Sequence, residues 1–176
     1  MKKIVIAAGI VAATAMSGSS AMAFDGTVKF TGEIVDQACT VNIGTDNTLT
    51  VDMGKVSKTA FTGVGTDAST TKFTIKLKDC PAAVTSAKVK FDGAPDASDS
   101  ALLALDSASD AAKGVAIKLM TVDKEALPLH SVNDYSYKLS STEENNLDFY
   151  AAYRSTSATV TAGKANSVAN FTVNYN

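Results

Sequence analysis

The residues able to carry out chemistry are few in this chain, and their spacing forms no catalytic set. His130 is the single histidine of the 176 residues and lies beside Pro128 in LPLHSVND, a turn context. A serine nucleophile served by it would need a Gly-x-Ser-x-Gly turn, and the sequence lacks that motif. We interpret His130 as a surface or turn residue, and the sequence predicts no enzyme.

Two groups of carboxylates raise the question of a metal ion or of acid–base catalysis. Asp92, Asp96 and Asp99 offer the oxygen ligands that calcium prefers, but they lack the spacing and the terminal bidentate glutamate of an EF-hand. Glu143 and Glu144 precede Asn145 in a polar stretch that is typical of a charged loop. We interpret both groups as solvated loops and predict neither a metal site nor a cofactor.

The start of the sequence predicts a secretory signal. Lys2 and Lys3 precede an apolar run over residues 4–16, and small residues then lead to Ala21-Met22-Ala23. This layout predicts cleavage between Ala23 and Phe24. The apolar run is shorter than the ~20 residues of a spanning helix, so we expect no membrane span in the mature chain.

The predicted export of the chain affects the interpretation of its two cysteines. Cys39 and Cys80 form an even pair in a chain sent to an oxidising compartment, which predicts a structural disulfide. A redox site would need a Cys-x-x-Cys pair, and zinc would need more cysteine and histidine ligands than the chain has.

Composition limits the size of the fold and its partners. A chain with 45% hydrophobic and 7% aromatic residues can bury one ordinary core, so we expect one folded domain. The net charge of −2 and the pI of about 5.3 give no electrostatic reason to expect nucleic acid or an anionic membrane as a partner.

The elements that position these residues are predicted to be β-strands. Apolar and polar residues alternate in several short segments separated by turn clusters rich in Gly, Asp, Asn and Ser, a pattern typical of an all-β sandwich. The strand segments are GTVKFTGEIVD, TKFTIKLKDC, AKVKFDG, VAIKLMT, YSYKLS, LDFYAAYR and NSVANFTVNYN. One segment, DSALLALDSASDAAKG, fits a short helix or an irregular strand and loop equally well.

The last of these segments predicts a strand with one apolar face. Ala169, Phe171, Val173 and Tyr175 alternate with asparagines and a threonine. A strand in this position needs neighbours on both sides or protection of its free edge.

Four stretches resemble the pilin subunits of chaperone-usher fimbriae of the type 1 kind, and the resemblance extends over the whole mature length. They are GTVKFTGEIVDQACTV, IKLKDC, FYAAYRS and AGKANSVANFTVNYN. Gly163 lies fourteenth from the C-terminus and Tyr175 is penultimate, which is similar to the family's C-terminal signature in residue and spacing. The separation of Cys39 and Cys80 also suits the family's single bridge.

This resemblance implies an incomplete immunoglobulin-like β-sandwich that lacks its last strand. The terminal strand would then face an open groove, and it would also bind the periplasmic chaperone. The residues implied in this groove and chaperone-binding strand are Gly163, Ala169, Phe171, Val173, Tyr175 and Asn176. A chaperone strand fills the groove first, and a donor strand from a neighbouring subunit replaces it in the fibre.

The resemblance divides the chain into a signal peptide (1–23), an N-terminal donor-strand extension (24–38) and a pilin domain (39–176). In the extension, Val28, Phe30, Gly32 and Ile34 fall on one side of a strand. Gly32 matches the small residue of the family's donor strands, where a side chain would be crowded. The extension is closer in length to that of linker-type minor subunits than to that of rod subunits.

The implied function is that of a structural subunit of a surface fimbria that supports cell adhesion. Its expected partners are identical or related pilin subunits, the periplasmic chaperone and the outer-membrane usher. The alternative is an exported carbohydrate- or protein-binding β-sandwich module, which would have no groove and would be stable alone.

Overall fold

The computed structural model describes residues 26–32, 34 and 38–176. The chain divides into two units, Met1–Ile34 and Val35–Asn176. In the first unit, the described residues form no helix or strand. The second unit contains the sheets described below.

The second unit is a sandwich of two antiparallel sheets. Its strands are β1 (Thr40–Val41), β2 (Asp67–Lys78), β3 (Ser86–Gly93), β4 (Val115–Met120), β5 (Tyr137–Lys138), β6 (Asn145–Ser155) and β7 (Ala169–Tyr175). One sheet has the order β1-β2-β6-β4 and the other the order β5-β3-β7, and every ladder between these strands is antiparallel. The predicted all-β sandwich is therefore confirmed.

The two inner faces meet in an aromatic core. Phe149 on β6 is fully buried, and its ring centre lies 5.4 Å from that of Phe73 on β2 and 5.2 Å from that of Phe91 on β3. Tyr137 on β5 packs against the same ring at 5.3 Å. Because side chains alternate along a strand, this core joins both sheets while the other faces stay solvated.

The predicted disulfide joins Cys39 to Cys80, and both residues are buried. It fixes the chain just before β1 to the chain just after β2. For a separation of 41 residues, loop closure stabilises the fold by up to about 4 kcal/mol in the chain-entropy model.

The segment open to two interpretations is irregular rather than helical. Leu103 exchanges two backbone hydrogen bonds with Ile117 of β4, at 2.9 and 2.8 Å, and also bridges to Pro95. Leu102 and Leu103 are buried. The chain therefore continues the sheet beside β4 at this point.

In the part of the chain that the structure describes, no helix has the length and apolar character needed to cross a bilayer.

Candidate interaction site beside the last strand

Strand β7 lies at the edge of its sheet. It pairs with β3 from Gly93 opposite Ala169 to Ala87 opposite Tyr175. Among the described residues, no strand pairs with its other edge. Its backbone N–H and C=O groups on that side are therefore available to another strand.

The inward side chains of β7 are covered on one side only. Phe171 and Val173 are half-buried, whereas Val89 and Phe91 directly opposite on β3 are buried. Ala169 and Tyr175 are likewise half-buried. Burial raises the pKa of the Tyr175 hydroxyl above its ordinary value. The apolar row thus belongs to the core but retains solvent exposure.

A second apolar row occurs between β1 and β2. Leu49, Val51 and Met53 are half-buried and alternate with exposed residues, although residues 48–57 belong to no sheet. The Ser69 hydroxyl donates a hydrogen bond of 2.8 Å to the Met53 carbonyl. Ser69 has a φ of 53° at a bulge in β2, between Ala68 and Thr71. The bulge thus directs a hydroxyl toward this row and holds it in place.

The segment that follows this row meets the segment that leads into β7 at a depression of about 520 Å³. Val56, Phe61 and Val160 give it an apolar wall, and Lys55, Lys58 and Lys164 also line it. The Tyr153 hydroxyl donates a hydrogen bond of 2.8 Å to the Ala165 carbonyl and so fixes the segment before β7.

Gly163 lines this depression, at a place where two backbone segments approach closely. A Cβ atom added there would lie 2.5 Å from the Ala111 carbonyl carbon and 2.6 Å from the Asp110 carbonyl oxygen. Both distances are below the shortest contacts of real Cβ atoms. Glycine is therefore required by the close approach of the chain, and its φ is not positive.

At the opposite end, Asn176 extends the pairing of β7 with β3 by backbone groups alone. Its N–H donates to the Ser86 carbonyl at 2.9 Å, and its carbonyl accepts from the N–H groups of Thr85 and Ser86 at 3.1 Å each.

The predicted site residues fall into three sets. The groove residues on β7 share one face, and Gly163 lines the depression. The predicted donor residues are in the first unit: Val28, Phe30 and Ile34 are 76%, 90% and 100% exposed, and Gly32 is also exposed. The predicted cleavage residues Ala23 and Phe24 lie outside the described residues.

Sequence reasoning missed the apolar row over residues 49–53 and the lysines at the depression. The alternation in LTVDMG was a usable signal, because Leu49, Val51 and Met53 repeat with the period of a strand. No local pattern indicated that Lys55 and Lys58 share a depression with Lys164, which lies over a hundred residues further along.

The polar residues considered for chemistry have local roles in the fold. Asp92 accepts from Lys90 and lies 3.0 Å from His130 Nδ1; the Lys90 bond is the main cause that holds the pKa of Asp92 below its ordinary value. Asp96 accepts from the backbone N–H of Ser98 at 2.9 Å. Glu144 pairs with Lys76 at 2.7 Å. Within the described ranges, no three potential metal ligands come together.

Comparison with known proteins identifies the family. A family model described as fimbrial protein matches residues 28–176. The chain belongs to the fimbrial protein family. It is 38% identical over 176 residues to the probable major fimbrial subunit LpfA of Escherichia coli O157:H7, covering 99% of this chain and 97% of that protein.

Solved structures agree with this assignment. An antigen and type I fimbria protein of Burkholderia pseudomallei superposes with a TM-score of 0.61 at 35% identity, covering 85% of this chain and 97% of its own. A chain of a chaperone-usher pilus shares the fold, with a TM-score of 0.63 at 24% identity over 86% of this chain and 95% of its own. The fimbrial protein is a structural subunit of a surface fimbria, and its family is not one of enzymes.

Proposed function

We propose that this fimbrial subunit polymerises by donor-strand exchange, with the extension of one copy pairing with the free edge of β7 in the next. One observation carries the proposal: β7 has a half-buried apolar face on an edge with which no described strand pairs, while Val28, Phe30 and Ile34 are exposed apolar side chains in an alternating segment. The groove beside β7 lacks a strand, and the extension of another copy can supply one.

The pattern of the extension fits a strand added to this edge. Successive residues of a strand point to opposite faces, so Val28, Phe30 and Ile34 would enter the groove while Lys29 and Thr31 face outward. Every ladder between the named strands is antiparallel, and an added strand that continues this arrangement would run antiparallel to β7. Ile34 would then lie toward the depression and Val28 toward Tyr175.

The driving force for exchange is apolar burial. Fully burying a Val, Ile or Phe side chain stabilises by about 1.5–3 kcal/mol, and new backbone hydrogen bonds along β7 add to this. The exposed donor side chains and the half-buried face of β7 would be covered in the same step. Better filling of the groove would favour a subunit strand over a chaperone strand.

The same groove explains the route of assembly that we propose. After export and removal of residues 1–23, a periplasmic chaperone would lend the missing strand and dock on Tyr175 and the Asn176 carboxylate. The outer-membrane usher would then pass the subunit to the growing fibre at the cell surface, where the fimbria supports adhesion. This order keeps the apolar face of β7 covered at each stage.

Thermal unfolding with a synthetic extension tests the proposal. The oxidised chain from Phe24 onward is heated alone and with a peptide of residues 24–36. We expect a rise in Tm with the peptide and slow ladder formation without it. A peptide carrying Phe30→Asp is the matched control and should leave Tm unchanged. A stable monomer whose Tm is insensitive to either peptide would overturn the proposal and favour a complete binding module.

A further inference from the structure

Three lysines line the depression at the start of β7. Lys55, Lys58 and Lys164 line it, and its lining residues include no carboxylate. Lys164 forms an ion pair of 2.8 Å with Asp110. Among the described residues, neither Lys55 nor Lys58 has a carboxylate within 4.0 Å. Two exposed cations thus lie beside an apolar depression with no anionic partner in the part of the subunit that the structure describes.

The extension is negatively charged at the end that would reach the lysines of the depression. In the antiparallel arrangement proposed above, the C-terminal end of the extension would lie at the depression. The charged residues of that end are Glu33 and Asp36, both acidic, whereas Lys29 lies in the other half. Glu33 falls between Gly32 and Ile34, so strand alternation directs it outward when they face the groove. The Glu33 carboxylate would therefore lie near the lysines at the edge of the depression and not in the apolar core.

We propose that Lys55 and Lys58 recognise the carboxylate of Glu33 in the extension of the incoming subunit. This inference rests on the proposed donor-strand exchange and adds a determinant of register and partner choice to it. A slip by one residue would turn Glu33 into the apolar groove, where an unpaired charge is costly. A subunit with a basic residue at this point would be disfavoured by repulsion.

The energetic scale of this recognition is modest and depends on salt. Exposed ion pairs contribute about 0.2–1 kcal/mol, which corresponds to an effect of about 1.4- to fivefold. Screening lengths are roughly 30 Å at 0.01 M and 8 Å at 0.15 M ionic strength, so steering of the extension is strongest in dilute salt. The lysines would therefore act mainly on the rate of strand uptake.

Peptide uptake with reciprocal charge reversal tests the inference. A fluorescent peptide of residues 24–36 is mixed with the oxidised chain from Phe24 onward, and uptake is followed by anisotropy at low and high salt. We expect Lys55→Glu/Lys58→Glu to slow uptake about two- to fivefold at low salt, with the difference lost at high salt. A peptide with Glu33→Lys should restore fast uptake by this variant and be slow with the unchanged chain.

Matched controls separate the inference from the proposed function. Lys138→Glu reverses one exposed charge on β5, on the other side of β3 from β7, and should leave uptake unchanged. The Asp25→Asn peptide changes an acid at the far end of the extension and should also behave as the unmodified peptide. If all peptides are taken up equally by all variants, the lysine inference is wrong and strand exchange stands. If none is taken up by any variant, donor-strand exchange itself fails.

Discussion

At the scale of single residues, Gly163 marks a position where another part of the backbone leaves no room for a side chain. We expect Gly163→Ala to lower the free energy of unfolding by about 1–3 kcal/mol, because the added methyl group must displace the backbone near Ala111. Denaturant unfolding with the donor peptide present measures the change. Gly63→Ala is the matched control, since a Cβ at Gly63 has no atom within 4 Å. Equal stability of both variants would contradict the steric argument.

Phe30 is the largest apolar side chain among the predicted donor residues and is 90% exposed. Phe30→Asp should leave the fold and the chaperone complex intact while blocking polymerisation, because a carboxylate in an apolar groove is costly without a partner. Multimer ladders of the purified chain measure polymerisation, circular dichroism measures the fold, and co-purification with the chaperone measures the complex. Thr31→Asp, on the outward face of the same segment, should still polymerise. Normal fibres from Phe30→Asp would defeat the assignment of the donor strand.

At the scale of elements, an ion-pair cluster ties three strands together on the outer face of the larger sheet. Asp67 of β2 accepts from Arg154 Nη2 of β6 at 2.8 Å and from Lys118 Nζ of β4 at 3.2 Å. Burial raises the pKa of Asp67, but the hydrogen bonds from Arg154 and Lys118 outweigh it and hold the pKa below its ordinary value.

This depressed pKa gives a prediction with a definite sign. A carboxylate with a lowered folded pKa stabilises the fold above its unfolded pKa of about 3.9, and this contribution is lost as pH falls through the folded pKa. Asp67→Asn should therefore cost about 1 kcal/mol at pH 7 and little in strong acid. Urea unfolding across this pH range measures the difference. Asp106→Asn, an exposed carboxylate, serves as control; a pH-independent loss at Asp67 would contradict an ionic origin.

The strands were predictable where the sequence segment itself shows the pattern of a strand. β2, β3, β6 and β7 follow their sequence segments because alternating apolar and polar residues show the period of a strand directly, and β4 follows a short, almost continuous apolar run. In YSYKLS, by contrast, only Tyr137–Lys138 forms a strand. The role of Leu103 was not predictable, since its hydrogen bonds to Ile117 are contacts between segments and leave no local pattern.

At the scale of the whole molecule, the candidate groove depends on segments far apart in sequence. The alternation in β7 and the family resemblance predicted one wall. The other wall, formed at the depression by Val56 and Phe61, is set by packing against the core, which no short pattern encodes. The sequence therefore predicted that β7 needs a partner strand, but it did not predict the shape of the groove that this strand would enter.

The C-terminal end connects this groove to the rest of the sandwich and gives a final prediction. Deleting Tyr175 and Asn176 removes the last β3–β7 backbone bonds, including that from Asn176 to Ser86, and a half-buried aromatic side chain. Net hydrogen bonds contribute about 0.5–1.5 kcal/mol each, so both the fold and the proposed chaperone-docking end are weakened. We expect periplasmic degradation and a strong fall in subunit level, measured by immunoblot of periplasmic extracts.

A point variant separates the contribution of the backbone from that of the Asn176 side chain. Asn176→Ala keeps the hydrogen bonds with Thr85 and Ser86, because Asn176 contributes only its main-chain atoms to them, and it keeps Tyr175 and the terminal carboxylate. Subunit levels should then match the unchanged protein. If Asn176→Ala is degraded as fast as the deletion, the asparagine side chain carries the effect. If the deletion itself accumulates normally, the end of β7 has no role in chaperone docking, and the order of assembly proposed above fails at its first step.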